Sequence, residues 1–435
     1  MNRSLIARMI ILQALLFPGG SLISRPAAGT ALTIERIESI VKDITPALIE
    51  LRRDLHANPE LSQRETRTSC KVAAYLRSLG LEVRTGIGGN GVLGVLRAGK
   101  PGPVIGFRGD MDALPIAEET GLPFASRVTA ELGGRQVGVM HACGHDIHTT
   151  LLLGTAAVLS RMRDELCGTV LFIAQPAEEA GDGARKMIED GLFRDFKPQA
   201  LFAYHVDDLT RVGTIAYIPG FAGANVDEFE LIIRSPGCHG ANPHLCPDPI
   251  VTGAQVVIGL QTMVAREVDV NRNAVVTVGS FHAGTASNII PREAVMSATV
   301  RTYGEDQRQL LKNKVERLVD GLCRAADIAY ELNYTLGTPS LYNDPDLLRE
   351  IMPALELAAD GKEHLAQEPP DMGGEDFSRF GREAPAVMLY LGINPLEGPG
   401  TSLHSPTFFA DEASIPLGVK VMCAVITDYL ARHAR

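Results

Sequence analysis

Four short apolar runs constrain the fold of this chain most, because each of them ends in residues that can carry chemistry. "VIGF" leads into "RGDMD", "VLFIAQ" into "PAEE", "ALFAY" into His205, and "AVMLYLGI" into the loop that holds His404. Short runs that are apolar throughout are typical of parallel strands buried on both faces of a sheet. Segments with helical periodicity, such as "HTTLLLGTAAVLSRM", occur between such runs. The sequence therefore predicts an α/β fold with a mixed, mainly parallel sheet.

The chain of 435 residues is longer than one compact core usually requires, so we expect two or more domains. The pattern changes near Phe221, where strands with alternating polar and apolar residues and two long amphipathic helices begin. Their order, β-α-β-β-α-β, is that of a ferredoxin-like domain. The α/β pattern returns after residue 336. We therefore predict a catalytic domain at 32–220 and 337–435, interrupted by an inserted α+β domain at 221–336.

The first 30 residues have the pattern of a secretory signal peptide. "MNRSLIAR" carries two arginines and no acidic residue, "MIILQALLF" is apolar, and many of the residues that follow are small. The apolar stretch is too short to span a bilayer. We therefore predict a cleaved signal peptide at 1–30 and a secreted or periplasmic protein. A disordered or buried N-terminal segment, in a cytoplasmic protein, is the alternative.

Charge and cysteine content exclude some classes of protein. The net charge of −11 argues against a nucleic-acid partner, which would require a basic face. The seven cysteines are an odd number, and a chain of this size does not need a framework of disulfides. Cys238 and Cys246 are the only close pair in a loop-like segment. A disulfide between these two in an oxidising compartment stays open at this point.

Several residues of metal-ligand type follow the predicted strands or precede a predicted helix. They are Cys143, His145, Glu179, His205 and His404, and Glu178 stands beside one of them. In an open α/β sheet, the residues that follow the strands gather at one edge. Thiolate and imidazole ligands suit zinc and similar transition metals, and carboxylates also suit harder ions. Of two adjacent glutamates, one can bind metal while the other takes a proton from water.

Taken singly, each of these residues has a plainer interpretation. A lone histidine such as His205 is more often a satisfied polar group than a ligand. Cys143 alone would be read as a small buried apolar residue, and the glutamate pair as a solvated turn. Asp110 and Asp112 could cap a turn. Their joint occurrence at strand ends is what favours a metal site.

Six motifs that occur in order carry a family resemblance. They are "RGDMDALP", "HACGHDIHTTLLLG", "QPAEE", "AGTASNIIP", "MGGEDFS" and "LHSPTFFADE". Together they resemble the di-metal amidohydrolases and aminoacylase-type metallopeptidases, in the branch with hippurate hydrolases, indole-acetyl-amino-acid hydrolases and N-acyl-amino-acid deacetylases. The resemblance extends over essentially all of the chain after the first 30 residues.

The resemblance implies a role for each site residue. Two divalent metal ions, zinc or manganese, would be held by five ligands: Cys143, His145, Glu179, His205 and His404. Glu178 would be the general base, and Asp112 an acid that orients a ligand. The inserted domain would be a lid that also forms homodimers. In it, "CHGANPH" is similar to a motif whose histidine, here His239, donates to the oxyanion, within its own site or that of a partner subunit. Asn288 matches a lid position on the carboxylate side of the substrate.

The implied activity is hydrolysis of the amide bond of N-acyl or N-aroyl amino acids by a metal-activated water. The expected partner is a small N-acyl amino acid or a dipeptide, and neither nucleic acid nor a membrane span is expected. Three alternatives remain open at this point. A dipeptidase or aminopeptidase would use the same chemistry, a cysteine hydrolase would use Cys143 as nucleophile, and a binding scaffold would keep the fold without activity.

Overall fold

The structure is a computed structural model that describes residues 30–434. Its eight helices are α1 (Thr30–Ala57), α2 (Thr66–Ser78), α3 (His145–Arg161), α4 (Gly183–Glu189), α5 (Pro249–Glu267), α6 (Glu305–Ala325), α7 (Pro345–Ala358) and α8 (Ser414–Arg432). The predicted signal peptide at 1–30 lies outside the described residues, apart from Thr30 at the beginning of α1.

The strands fall into one large sheet, one four-stranded sheet and three short pairs. In chain order they are β1 (Glu82–Ile87), β2 (Gly91–Arg97), β3 (Lys100–Asp110), β4 (Thr129–Leu132), β5 (Arg135–Gly138), β6 (Cys167–Gln175), β7 (Ala200–Arg211), β8 (Ile215–Tyr217), β9 (Gly220–Phe221), β10 (Asn225–Arg234), β11 (Cys238–His239), β12 (Ala274–Ala283), β13 (Ile289–Ile290), β14 (Glu293–Thr302), β15 (Ala329–Thr338), β16 (Tyr342–Asn343), β17 (Leu365–Gln367) and β18 (Ala386–Asn394).

The large sheet has the order β1-β2-β6-β3-β7-β18-β8-β17. Its centre is parallel, because β3 pairs with β6 and β7, and β7 pairs with β18, in the same direction. The pairs β1–β2, β2–β6 and β18–β8 are antiparallel. The mixed, mainly parallel sheet predicted from the apolar runs is therefore confirmed. The central strands are buried along most of their length because helices and loops cover both faces.

Both faces of the large sheet are covered by apolar layers. On one face, α1, α3, α7 and α8 pack against one another, and Leu48, Leu151 and Val419 belong to the core between them and the sheet. On the other face, α4 and a short 3-10 helix at 376–382 supply Met187 and Phe377 to a second core. In the described part of the chain, α8 alone is long and apolar enough to cross a membrane, but 78% of its most apolar window is buried. That burial is typical of a core helix.

The four-stranded sheet is antiparallel, in the order β12-β14-β10-β15, and it has a core of its own. Helices α5 and α6 pack on it, and Leu231, Leu260 and Val315 belong to that core. The order of elements, β10-α5-β12-β14-α6-β15, is the predicted β-α-β-β-α-β order. This sheet begins at Asn225 and ends at Thr338. We call these strands and helices the inserted unit, and its role as a lid stays a prediction.

The edge of the large sheet at the carboxyl ends of the parallel strands positions the candidate site. β3 ends at Asp110 and β6 ends at Gln175, directly before the Pro176–Ala177–Glu178–Glu179 loop. One detail differs from the sequence prediction, which put His205 after its strand. β7 continues past His205 to Arg211, because the last part of this strand still pairs with β18.

Candidate metal centre

The structure brings the five predicted ligands into one cluster. The Sγ atom of Cys143 lies 3.5 Å from Nε2 of His205 and 3.3 Å from Nε2 of His404. The Oε1 atom of Glu179 lies 3.4 Å from Nε2 of His404 and 3.9 Å from Nε2 of His145. The thiol thus lies between His205 and His404, and the carboxylate lies between His404 and His145. His404 is the most accessible of these side chains, with 52% of its surface exposed, so the cluster opens to solvent on its side.

Backbone geometry places the ligands that come from loops. Gly144, between Cys143 and His145, has a φ of 79°, and a Cβ atom there would lie 2.5 Å from Cγ2 of Val206. Only glycine fits this turn without strain. His404 also has a positive φ, of 58°, and its N–H donates to the carbonyl of Ala142 at 2.8 Å. The His404 loop is therefore fastened to the segment that carries Cys143.

The backbone of Val206, which is held in turn by His148, sets the orientation of the His205 ring. Nδ1 of His205 donates to the carbonyl of Val206 at 2.7 Å, which leaves Nε2 facing Cys143 without a proton. The N–H of Val206 donates to Nε2 of His148 at 2.8 Å, so the proton of His148 is on Nδ1 and donates to Asp110 at 2.7 Å. Burial lowers the pKa of His148 to about 4, in keeping with a neutral ring. His148 thus supports a ligand through Val206.

Asp112 lies behind the cluster and contacts both ligand segments. Its Oδ1 atom is 3.3 Å from Nδ1 of His145. Its carboxylate also accepts the N–H groups of Glu178 and Glu179, each at 3.1 Å, and the hydroxyl of Ser62 at 2.6 Å. Burial alone would raise the pKa of Asp112, but the hydrogen bond and charge of His145 outweigh burial and lower it. A carboxylate in this place holds the ring of a metal-binding histidine in a fixed orientation.

Glu178 lies in a group of carboxylates beside the cluster. Oxygens of Glu178, Glu375 and Asp376 lie within 4.8 Å of one another. Burial raises the pKa of Glu178 well above its usual range, and the charges of Glu375 and Asp376 add to the increase. Glu375 and Asp376 belong to the motif "MGGEDFS", from which no role for this pair could be predicted.

A buried arginine pairs with two of these acids, Glu375 and Asp376, and with Asp110. Arg108 forms ion pairs with Asp110 at 2.6 Å, Glu375 at 2.9 Å and Asp376 at 3.3 Å, and it donates to Gln175 at 2.9 Å. Its side chain is fully buried. Burial alone would lower the pKa of Arg108, but the three carboxylates outweigh burial and raise it. Because Asp110 in turn holds His148, the network connects the acid group to the His205 ligand.

The residues of the cluster fit a pair of divalent cations. Within residues 30–434, Nε2 of His145 and Oε1 of Glu179 are buried atoms that have no hydrogen-bond partner. A buried polar atom left in this state costs about 1–3 kcal/mol, which a bound ion would offset. The donor set of one thiol, three imidazoles and one carboxylate is suited to zinc and related metals.

The two lid residues predicted from the resemblance lie near each other but outside this cluster. His239 is in β11, opposite Ile289 of β13, and its Nδ1 accepts the N–H of Ala241 at 3.0 Å. The N–H of Gly240 donates to the carbonyl of Asn288 at 2.8 Å. The side chains of His239 and Asn288 are exposed. A disulfide joins Cys238 to Cys246 across the same loop, with Cα atoms 6.1 Å apart, which answers the question that the sequence left open.

Comparisons with known proteins agree with this geometry. The model of peptidase family M20/M25/M40 matches residues 106–428. An N-acetylcysteine deacetylase from Bacillus subtilis is 38% identical over 374 residues, 85% of this chain and 93% of that protein. Thermostable carboxypeptidase 2 from Saccharolobus solfataricus is 36% identical over 390 residues, 88% of this chain and 96% of that protein.

A solved structure is similar as well. It is the Bacillus subtilis YXEP protein, a dinuclear metal-binding peptidase of the M20 family, which is 35% identical with a TM-score of 0.75. The match covers 89% of this chain and 99% of that chain. With the family model, the relatives and the ligand cluster in agreement, the chain belongs to peptidase family M20/M25/M40 and is a metal-binding hydrolase that acts on carbon–nitrogen bonds.

Proposed function

We propose that this protein hydrolyses the amide bond of N-acyl amino acids, using two divalent cations held by Cys143, His145, Glu179, His205 and His404. The observation that carries the proposal is the Glu178–Glu179 pair: Glu179 contacts His145 and His404, while Glu178 points into the neighbouring acid group. The similarity to a protein named N-acetylcysteine deacetylase supports an acyl amino acid as the substrate.

The cations would be zinc or manganese, which suit the thiol, imidazole and carboxylate donors to different degrees. When bound, they would polarise the scissile carbonyl and lower the pKa of a water molecule. The protein itself holds the five donors in place: Cys143 and His145 are buried, Glu179 and His205 are partly exposed, and His404 is the most exposed.

Glu178 performs the proton transfers in this proposal. It takes a proton from the water whose oxygen attacks the carbonyl carbon. When the carbon–nitrogen bond breaks, it delivers that proton to the departing nitrogen, so the products are an acid and a free amine. Glu178 and Glu179 are adjacent residues of one loop, and the N–H groups of both donate to Asp112. Glu178 is therefore held next to a proposed metal ligand, which supports its role as the base.

His239 is proposed as the donor to the oxyanion, with Asn288 beside it on the carboxylate side of the substrate. Its exposed position means that it acts only when the inserted unit closes over the centre, or when a partner subunit supplies it. Exposed apolar side chains on α5, Val251 and Ile258, support a homodimer formed through this unit.

A secreted or periplasmic location is part of the proposal. Disulfides persist in oxidising compartments and are rare in the cytosol. The bond between Cys238 and Cys246 therefore supports the signal peptide predicted at 1–30.

The activity is tested with a panel of N-acetyl, N-benzoyl and dipeptide substrates on protein reconstituted with zinc or with manganese. We expect acyl amino acids to be the best substrates. Turnover of dipeptides alone would show that the protein is a dipeptidase instead. The similarity to a carboxypeptidase makes this the second candidate function.

The same assay separates the metal mechanism from a cysteine hydrolase. A chelator should abolish turnover, and added metal should restore it. Alkylation of the metal-saturated protein with iodoacetamide should leave turnover intact. The exposed Cys70 would react, whereas Cys143 is buried and would be bound to metal. Loss of turnover through modification of Cys143 in the metal-saturated protein would favour the cysteine enzyme.

A further inference from the structure

Glu65 occupies the N-cap position of α2 but does not cap the helix. At this position Ser, Thr, Asp or Asn is usual, because a short side chain accepts the first free N–H groups of the helix. In α2 two of those groups, at Arg67 and Thr68, donate to the carboxylate of Glu60 instead, at 3.0 and 2.8 Å. The carboxylate of Glu65 is therefore available for another contact.

That contact is with the loop that carries Glu178 and Glu179. Oε1 of Glu65 accepts the N–H of Ala177 at 2.8 Å and that of Gln63 at 2.8 Å. Oε2 accepts from Nδ2 of Asn90 at 3.0 Å. Glu65 is fully buried, and a carboxylate is kept in such a place only when hydrogen bonds compensate its desolvation. These three hydrogen bonds thus hold the carboxylate of Glu65 in one position against the Ala177 N–H.

The backbone at Ala177 requires such support. Its φ is 55°, in the left-handed region that an L-residue with a side chain rarely adopts. A conformation of this kind persists only where the surroundings enforce it. The N–H groups of Ala177, Glu178 and Glu179 are consecutive, and the first donates to Glu65 while the other two donate to Asp112. Two buried carboxylates therefore hold three successive peptide groups.

We propose that Glu65 is a positioning residue for the reaction. By accepting the N–H of Ala177, it keeps that residue in the left-handed conformation. It thereby fixes the directions in which the side chains of Glu178 and Glu179 point. This inference rests on the proposed function for the roles of those two glutamates. Glu65 contributes neither a ligand nor a proton, and it acts through the backbone of its neighbour.

The test compares Glu65→Ala with Glu65→Gln and with Glu60→Ala. Glu65→Ala removes the acceptor of the Ala177 N–H, and we expect kcat to fall about 10- to 100-fold with KM little changed. Glu65→Gln keeps an oxygen for that N–H and should recover most of kcat. Glu60→Ala is the matched control, because it also removes a glutamate that accepts two backbone N–H groups but has no contact with the Ala177 loop among those described.

A second readout does not depend on turnover. Zinc affinity is measured by competition with a chromophoric chelator. Glu65→Ala should weaken it about 10- to 100-fold, because Glu179 is on the same backbone segment. Glu65→Gln should restore the affinity, and Glu60→Ala should leave both kcat and the affinity unchanged while lowering the melting temperature. All assays are run well below the lowest melting temperature.

The inference is overturned if Glu65→Ala keeps the kcat and zinc affinity of the wild type, or if Glu60→Ala loses as much as Glu65→Ala. If Glu65→Ala does not fold, Glu65→Asp replaces it, because the shorter side chain keeps the charge but withdraws the carboxylate from the Ala177 N–H; a wild-type kcat and zinc affinity in that variant then overturn the inference. Glu178→Gln is measured in parallel. An active Glu178→Gln removes the proposed base, whereas an inactive Glu178→Gln beside an active Glu65→Ala removes only the role of Glu65.

Discussion

The metal centre is largely buried and supported by residues from distant parts of the chain, whereas the loop that carries His239 is exposed and is held by a local disulfide and by pairing with residues 288–290. Asp112, Glu65 and His148 each fix a ligand segment from another part of the chain. The His239 loop has a local disulfide to Cys246 and a hydrogen bond to the carbonyl of Asn288.

The difference corresponds to when each part acts. Ligands and a general base must be in place before the substrate arrives, and small displacements of such groups are costly in rate. A donor to the oxyanion is required only after attack on the carbonyl, so it can be delivered by a closing unit or by a second subunit. Variants in the two regions should therefore differ in whether they affect metal binding.

The largest effect is expected for Glu178→Gln in the metal centre. Loss of the general base should lower kcat about 10²- to 10⁴-fold. Metal content should stay at the wild-type value, because Glu179 and the other ligands are unchanged. Turnover and metal content are measured on the same sample, and near wild-type turnover would show that Glu178 is not the base.

A large loss of stability is expected for Arg108→Met. It leaves Asp110, Glu375 and Asp376 buried without their cation, and breaking a buried ion pair from one side costs about 3–5 kcal/mol. The free energy of unfolding is measured by urea titration.

The control for Arg108→Met comes from the inserted unit. Arg234 pairs with Glu293 and Glu331 but is half exposed, so Arg234→Met should change stability little. Equal losses of unfolding free energy in the two variants would mean that the buried ion pairs stabilise the fold no more than the exposed ones do.

His239→Ala should affect turnover alone. Removing one donor to an oxyanion typically costs 10²- to 10³-fold in kcat. Because His239 is exposed and outside the ligand cluster, metal affinity and melting temperature should not change. His244→Ala, in the same exposed loop, is the control and should keep full activity. A kcat for His239→Ala within the range of that control would remove His239 from the reaction.

The smallest effect is expected for the double variant Cys238→Ser and Cys246→Ser. The loop keeps its hydrogen bond from Gly240 to Asn288, so kcat should fall less than in His239→Ala, with metal content unaffected. The two kcat values are compared under identical conditions. A fall larger than that of His239→Ala would show that the disulfide supports more than this loop.

The clustering of the five candidate ligands could be predicted from the sequence because they follow recognisable apolar runs or stand at the beginning of a helix. Cys143 lies two residues before α3, His145 is the first residue of α3, and Glu179 follows β6. The order of elements in the inserted unit was readable for a similar reason, since its strands alternate polar and apolar residues. The pattern ended β7 before His205, whereas the strand continues to Arg211, because apolar character ends before the pairing with β18 does.

Apart from Asp112, which the resemblance implied, the supporting residues could not be predicted, because their partners are far away in sequence. Arg108 and Glu375 are 267 positions apart, and Glu65 and Ala177 are 112 apart. Hydrophobic periodicity does not distinguish Glu65 from a solvated glutamate at a helix terminus. One signal was present: a glutamate where a short capping residue is usual indicates that the side chain serves something other than its own helix.

The metal content of the purified, reconstituted protein tests the central claim most directly. Atomic emission should find two divalent ions per chain in the wild type. This number is expected because a similar member of the family is a dinuclear metal-binding peptidase. Cys143→Ala should hold fewer, because its sulfur lies between His205 and His404. Full occupancy in Cys143→Ala, or no bound metal in an active wild-type protein, would contradict the account.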